Sequence, residues 1–208
     1  MADLLHGTRE GRESSLNPAA VEILNELREG NQRFREGRSI HHVYGPELVE
    51  SLSSAPAPRA AIVACSDSRV SPEIIFDQPL GKLFVSRVPG NVASDSAKWM
   101  LEIAVTHLKV PLVLVIGHTD CLAVKQVVEG HTTGSGGLLR TFVSTSVHRA
   151  RCSSPSDLFH ASILENARHS AEQLTSESWN LQRAMESGQT SIAAGYYDVK
   201  TGLFEVLL

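Results

Sequence analysis

Two short motifs of this 208-residue chain contain side chains that can bind a metal ion. Cys65 begins the string CSDSR, and His118 and Cys121 lie three residues apart in GHTDC. Thiolate and imidazole groups are common zinc ligands, and three of them leave one coordination position free. A structural zinc site normally has four protein ligands, so the pattern predicts a zinc ion that activates water.

Two charged residues follow Cys65 at alternate positions, Asp67 and Arg69. Charges at the end of a buried strand are costly unless they are paired or bound. We expect Arg69 to keep Asp67 ionised through a two-pronged ion pair, which leaves Asp67 to aim a zinc-bound hydroxide at a substrate. If Arg69 released it, Asp67 could occupy the fourth metal position, which would be an inactive state. The alternative is a surface salt bridge that caps the next helix.

Composition narrows the class of protein. The chain is 42% hydrophobic and 20% charged, which fits a single domain over 1–208 with a flexible segment at 1–16. A net charge of −4 with dispersed basic residues predicts neither a nucleic-acid nor a membrane partner. Without a long apolar segment or a signal-peptide pattern, we expect a cytoplasmic protein with reduced thiols.

Apolar segments of strand length alternate with segments of helical periodicity. Asn17 and Pro18 begin a helix predicted over 17–36. Strands are predicted at 60–64, 83–87 and 112–116, the first and third of them uniformly apolar, followed by a C-terminal strand pair. The order predicts an α/β domain: a mainly parallel sheet of four strands plus a C-terminal antiparallel edge strand, with helices on both faces. Ligands bind beyond the carboxyl ends of such strands, where Cys65 and His118 lie.

The motifs resemble those of the β-class carbonic anhydrase family, which includes carbonyl sulfide and carbon disulfide hydrolases. The resemblance rests on CSDSR, FVSRVPGN and GHTDC in this order, and it extends from about residue 18 to the C-terminus. It implies a zinc enzyme with one ion per chain, bound by the two cysteines and the histidine, and a catalytic pair, Asp67 and Arg69. It also implies a homodimer or homotetramer with its pocket at the subunit interface and an N-terminal helix that reaches the partner subunit.

Several positions depart from the family pattern. Leu122 stands where Gly usually follows the second zinc cysteine, and Ile103 stands where Tyr usually lines the pocket. The APAPR string before Cys65 lacks the Gln that binds bicarbonate in many members. We therefore expect a pocket that is more apolar than is usual in the family, formed by Phe84, Pro89, Gly90, Asn91, Ile103 and Leu122.

These departures leave two enzyme functions open, both on a small linear heterocumulene. In the first, zinc-bound hydroxide adds to carbon dioxide and gives bicarbonate and a proton. In the second, it adds to carbonyl sulfide and gives hydrogen sulfide and carbon dioxide. Family frequency favours the first function. The apolar pocket favours the second, because bicarbonate needs hydrogen-bond donors and carbonyl sulfide does not.

A non-catalytic interaction domain stapled by zinc is a third possibility. It would need a fourth protein ligand, and this could come from Cys152, His107, His131, His148 or His160. None of these residues shares a short motif with the three predicted ligands. The two enzyme functions are therefore favoured over a non-catalytic domain in which zinc only stabilises the fold.

One regulatory feature of the family is not expected here. Some bacterial members bind regulatory bicarbonate through a Trp three residues before the first zinc cysteine, and Ile62 occupies that position. We therefore expect no such switch, with Arg69 holding Asp67 at neutral pH. Direct ligation of zinc by Asp67 in a structure at pH 8 would contradict this expectation.

Overall fold

The structure is a computed structural model that describes residues 16–40, 42, 44–131 and 137–207. The predicted flexible segment at 1–16 lies outside the described residues except for Leu16. None of the described helices is both long and apolar enough to cross a membrane. In chain order, the elements are α1 (Pro18–Arg35), α2 (Pro46–Leu52), β1 (Ala60–Ala64), α3 (Pro72–Ile75), β2 (Leu83–Arg87), a 3-10 turn (Pro89–Asn91), α4 (Asp95–Thr106), β3 (Leu112–His118), α5 (Leu122–Val128), α6 (Gly137–Cys152), α7 (Leu158–Glu177), α8 (Trp179–Glu186), β4 (Ser191–Tyr197) and β5 (Phe204–Val206).

The five strands form one sheet in the order β2-β1-β3-β4-β5. Neighbouring strands from β2 to β4 are parallel, and β5 pairs antiparallel with β4. Every residue of β1 and β3 is buried, which explains why these strands are uniformly apolar rather than alternating. The predicted sheet of four parallel strands with an antiparallel C-terminal strand is confirmed.

Helices cover both faces of the sheet, because successive side chains of each strand point to opposite sides. Ile62 of β1 packs in one core with Leu24 of α1. The next residue, Val63, packs in the other core with Leu101 of α4 and Leu181 of α8. Both faces of the central strands are therefore buried, and the predicted metal ligands lie at the ends of these strands.

Helix α1 begins where the sequence predicts. The Asn17 side chain caps it by accepting a hydrogen bond of 2.8 Å from the amide of Ala20. The same side chain donates to the carbonyl of Pro111 at 3.3 Å and so ties the helix to the start of β3. Leu24 and Leu27 then pack onto the sheet of their own chain. That α1 also reaches a partner subunit stays a prediction.

The parallel pairing of β1 and β3 brings the two motifs together. Ala64 lies opposite Ile116, so Cys65 and His118 leave neighbouring strands at the same edge of the sheet. Helix α7 comes close to this edge because Gly117 has no side chain. A Cβ atom at Gly117 would lie 3.2 Å from the Cβ of Ala167 and from the carbonyl oxygen of Ile163.

Candidate metal centre

Three side chains converge at this edge of the sheet. The Sγ atoms of Cys65 and Cys121 lie 3.9 Å apart. Together with a ring nitrogen of His118, all the donor atoms lie within 4.8 Å of one another. This buried group is the one cluster of three or more metal-binding side chains found among the described residues. The structure thus brings the three predicted ligands together.

The His118 ring is oriented for metal binding. Its Nδ1 lies 2.9 Å from the carbonyl oxygen of Thr119, which can only accept, so Nδ1 carries the proton. Nε2 then has a free lone pair, and it is buried with no hydrogen-bond partner among the described residues. A backbone carbonyl that fixes the tautomer in this way is typical of histidines that bind metals.

The turn between His118 and Cys121 is held by strand β4. The Thr119 amide donates to the carbonyl of Tyr197 at 3.0 Å, and the Thr119 hydroxyl lies 3.0 Å from that of Tyr196. Asp120 then adopts a left-handed conformation with φ of 56°. Asp tolerates this region better than most residues, and the reversal directs Cys121 back towards His118.

The two thiols of the metal-free site share a proton unequally. The hydrogen bond from Cys121 lowers the pKa of Cys65 to about 4, and the amide of Gly90 contributes by donating to Cys65 Sγ at 3.4 Å. The hydrogen bond to Cys65, together with burial, raises the pKa of Cys121 well above its ordinary value. The shared hydrogen bond therefore favours the thiolate form of Cys65 and the thiol form of Cys121.

Asp67 and Arg69 form the expected two-pronged ion pair beside the cluster. Arg69 Nε donates to Asp67 Oδ1 at 3.0 Å, and a terminal guanidinium nitrogen donates to Oδ2 at 2.8 Å. The Arg69 amide adds a third hydrogen bond, of 2.9 Å. The Arg69 side chain is the main reason that the pKa of Asp67 lies well below its usual range. Asp67 is thus an ionised carboxylate with a fixed orientation, whereas its role in catalysis stays a prediction.

A cleft of about 330 Å³ opens onto Cys65 and Asp67, and the residues that line it are Cys65, Ser66, Asp67, Pro89, Leu122, Ala123 and Gln126. Apolar groups form much of its wall. Leu122 remains 63% exposed at this site, so it is not part of the core. The arrangement can hold a small molecule in contact with both a metal ligand and an ionised carboxylate.

Known proteins share this fold. The β-carbonic anhydrase CcaA superposes with a TM-score of 0.70 at 26% identity, covering 88% of this chain and 94% of that chain. The family model described as carbonic anhydrase matches residues 60–204. The chain belongs to the β-class carbonic anhydrase family. A β-carbonic anhydrase from Coccomyxa, solved with acetazolamide, also superposes with a TM-score of 0.70, at 25% identity over all of this chain and 87% of that one.

Carbonic anhydrases of two bacteria are similar in sequence. The carbonic anhydrase of Mycolicibacterium smegmatis is 34% identical over 197 residues, which cover 91% of this chain and 93% of that protein. Carbonic anhydrase 2 of Mycobacterium tuberculosis is 41% identical over 129 residues, which cover 61% of each. The likeness to other β-carbonic anhydrases therefore extends over nearly the whole chain.

The residues predicted to form the pocket fall into two groups. Pro89 and Leu122 line the cleft, and Gly90 and Asn91 are buried in the 3-10 turn next to Cys65. The other two do not line the cleft of this chain. Phe84 packs against the core beneath α4, and Ile103 is a half-buried residue of α4 itself. Their place in a pocket at a subunit interface stays a prediction.

Two residues that position the site were not recognised from the sequence. Arg87 donates from Nε to the carbonyl of Cys65 at 3.2 Å and from a terminal nitrogen to that of Asp67, so it clamps the loop between them. The feature of the sequence that could have pointed to Arg87 is its position at the end of a strand that pairs in parallel with β1. Asn166 of α7 donates to the carbonyl of Gly90 at 2.6 Å. No local pattern connects Asn166 to a site 76 residues away.

Gly90→Ala should destabilise the fold by about 2–3 kcal/mol and weaken metal binding. Gly90 has φ of +70°, and a Cβ atom there would lie 3.3 Å from the Cβ of Ala123. Relief of this contact would also move the amide that donates to Cys65 Sγ. Urea denaturation of the metal-free protein measures the stability, and calorimetric titration measures metal affinity.

Gly130→Ala is the matched control for this substitution. Gly130 has φ of +74°, but no described atom outside its own chain neighbours lies within 4 Å of the position that a Cβ atom would take. We expect this variant to lose only about 1–2 kcal/mol, from the left-handed conformation alone, and to bind metal like the parent. Equal losses of stability and equal metal affinity in the two variants would contradict the positioning role of Gly90.

Proposed function

We propose that this chain is a zinc-dependent carbonic anhydrase, which converts carbon dioxide and water to bicarbonate and a proton. One observation carries the proposal: the cleft beside the Cys, His and Cys cluster is also lined by Asp67, whose carboxylate Arg69 holds ionised. A metal that only staples a fold needs neither a cleft nor a fixed carboxylate. Membership of the carbonic anhydrase family supports the same reaction.

Zinc fits the donor atoms of the cluster. Two sulfurs at about 2.3 Å from a tetrahedral zinc ion lie roughly 3.8 Å apart, and the two Sγ atoms are 3.9 Å apart. The buried Nε2 of His118 has no other partner among the described residues, which is costly unless the atom binds something. When bound, zinc would lower the pKa of a water molecule to near neutrality.

The zinc-stapled interaction domain receives no support from the described residues. Its possible fourth ligands all lie outside the cluster: Cys152, His107, His131, His148 and His160. Cys152 is exposed on α6, where its Sγ lies 3.9 Å from Nε2 of His148. A site with three protein ligands keeps a position for water or substrate, as catalytic zinc sites do.

The protein side chains around the cleft have separate tasks in the proposed reaction. Asp67, being ionised, can only accept hydrogen bonds, so it accepts one from the attacking water and directs the oxygen lone pair into the cleft. Arg69 keeps the carboxylate charged and fixes its two oxygens. Leu122 and Pro89 provide an apolar wall, which suits a carbon dioxide molecule that carries no charge.

Zinc binding should release about two protons per chain at pH 8, one from Cys121 and one from the water molecule whose pKa zinc would lower to near neutrality. Cys65 is already a thiolate, because the pKa of its thiol is about 4, whereas Cys121 must lose the proton that its raised pKa retains. Protons therefore compete with zinc for Cys121, and affinity should fall about tenfold for each pH unit of acidification. Calorimetric titration with zinc in buffers of different ionisation enthalpy counts the protons. Release of three would show that Cys65 also loses a proton and would contradict the proton shared between the two thiols.

Carbonyl sulfide hydrolysis is the second candidate, and Leu122 is the observation that favours it. This exposed side chain lines the cleft and would suit a larger, poorly hydrogen-bonding sulfur atom. Stopped-flow carbon dioxide hydration and sulfide release from carbonyl sulfide, measured on one preparation, separate the two functions. We expect fast hydration and little sulfide. Sulfide release without fast hydration would overturn the proposed carbonic anhydrase activity.

We also propose that the protein is a homodimer or homotetramer. Ile40, Tyr44 and Ile74 are each more than half exposed and line one shallow cleft. Exposed apolar side chains that lie together commonly mark an interface. Light scattering coupled to size exclusion measures the mass in solution. A mass of 22.5 kDa at micromolar concentration, which is that of one chain, would contradict the proposal.

A further inference from the structure

Gln126 is a hydrogen-bonding side chain of the cleft that has no part in the steps described above. Gln126 of α5 lines the cleft together with Leu122, which precedes it by one helical turn. Its side-chain amide makes no hydrogen bond to any described residue. The backbone of Gln126 is fixed, since its carbonyl accepts from the amide of His131 at 2.9 Å. An amide with no hydrogen-bond partner among the described residues is thus presented at the cleft from a helix whose backbone is fixed.

The other polar groups of the cleft cannot readily hold an anion. Asp67 is negatively charged and accepts hydrogen bonds only. The guanidinium of Arg69 already uses Nε and one terminal nitrogen on Asp67. Ser66 offers one short hydroxyl between Cys65 and Asp67, whereas the Gln126 amide offers two N–H donors on a longer stem.

The product of carbon dioxide hydration is the anion that such donors would recognise. Bicarbonate carries its charge on oxygens that accept hydrogen bonds, and it forms from a substrate that has no charge. We propose that Gln126 contacts bicarbonate and donates a hydrogen bond to it in the cleft. This assignment rests on the proposed carbonic anhydrase function. It makes Gln126 a residue that favours bicarbonate, which has oxygen acceptors, over the hydrogen sulfide formed by carbonyl sulfide hydrolysis.

Gln126→Met tests the contact, because Met keeps the length of the side chain and removes both donors. Loss of a hydrogen bond to a charged ligand should weaken bicarbonate binding to the zinc-loaded protein about tenfold. The constant for inhibition of hydration by bicarbonate should rise by the same factor. Hydration of carbon dioxide and dehydration of bicarbonate share one overall equilibrium constant, so a variant must change kcat/KM by the same factor in both reactions. The dissociation constant of bicarbonate is therefore the quantity that reports on the contact. Bicarbonate labelled with carbon-13 allows direct titration by NMR.

Gln182→Met is the matched control, since it makes the same chemical change outside the cleft. Gln182 lies on α8, where its side-chain amide donates a hydrogen bond to the carboxylate of Glu186. This variant should bind bicarbonate like the parent protein. Zinc content and circular dichroism establish that both variants are loaded and folded. If the parent hydrates carbon dioxide but Gln126→Met binds bicarbonate unchanged, or if only Ser66→Ala weakens binding, the assignment of Gln126 is wrong. If the zinc-loaded parent neither hydrates carbon dioxide nor binds bicarbonate, the proposed function fails and the assignment fails with it.

Discussion

Asp67→Asn should lower kcat for carbon dioxide hydration by about 100-fold or more, while zinc content stays at one ion per chain. Asn has the shape of Asp but no charge, so it loses the ion pair with Arg69 and one of its two acceptor oxygens. Because the pKa of Asp67 lies well below its usual range, the parent carboxylate is ionised throughout pH 6 to 9. The loss should therefore be nearly the same across this pH range in stopped-flow assays.

Asp95→Asn is the control for the loss of a carboxylate elsewhere. Its side chain is 94% exposed at the start of α4, pairs with Lys98 and does not line the cleft. We expect hydration by this variant to stay within about twofold of the parent, as surface substitutions usually do. If Asp67→Asn also kept parental activity with zinc bound, the carboxylate would have no part in the reaction, and the metal would act as a staple.

Cys121→Ser should abolish both zinc binding and hydration. Serine is nearly the same size, but its hydroxyl does not ionise at neutral pH and so cannot replace a thiolate as a ligand. Cys121 is fully buried, and its loss also removes the hydrogen bond that lowers the pKa of Cys65. Elemental analysis after dialysis should show less than about a tenth of an ion per chain.

Cys152→Ser is the control for Cys121→Ser, because Cys152 is an exposed thiol outside the metal cluster. This variant should retain one zinc ion per chain and parental activity. Full zinc content in Cys121→Ser, with the fold intact by circular dichroism, would contradict the ligand set. Loss of zinc in Cys152→Ser would show that a fourth ligand is involved.

The parts of the site that follow from short-range geometry could be predicted from the sequence. His118 and Cys121 lie on one turn, so their proximity depends on few residues. Cys65 joins them because uniformly apolar segments predicted parallel strands whose carboxyl ends share one edge of the sheet. The pairing of Asp67 with Arg69 is likewise local, since two residues at alternate positions need only one turn to meet.

The wall of the cleft could not be predicted in the same way, because it depends on how distant elements pack. Phe84 packs against the core that includes residues of α4, and Ile103 is a half-buried residue of α4, so neither lines the cleft of this chain, and their place in a pocket at a subunit interface stays a prediction. Asn166 reaches Gly90 only because α7 packs against the end of β3. Gln126 shares a helix face with Leu122, but spacing alone does not reveal that a cleft lies there. APAPR lacks the Gln found before the first zinc cysteine in many family members, but Gln126 places a side-chain amide at the wall of the cleft from a different element.

Carbon dioxide hydration by the protein with and without zinc is the most direct test of the proposed function. The protein is stripped with a chelator, dialysed and assayed by stopped flow, then assayed again after addition of one equivalent of zinc. We expect no catalysis by the stripped protein and full recovery at one ion per chain, since the three predicted ligands form one cluster that could hold a single ion. Failure of the fully zinc-loaded, folded protein to accelerate hydration would contradict the proposed function.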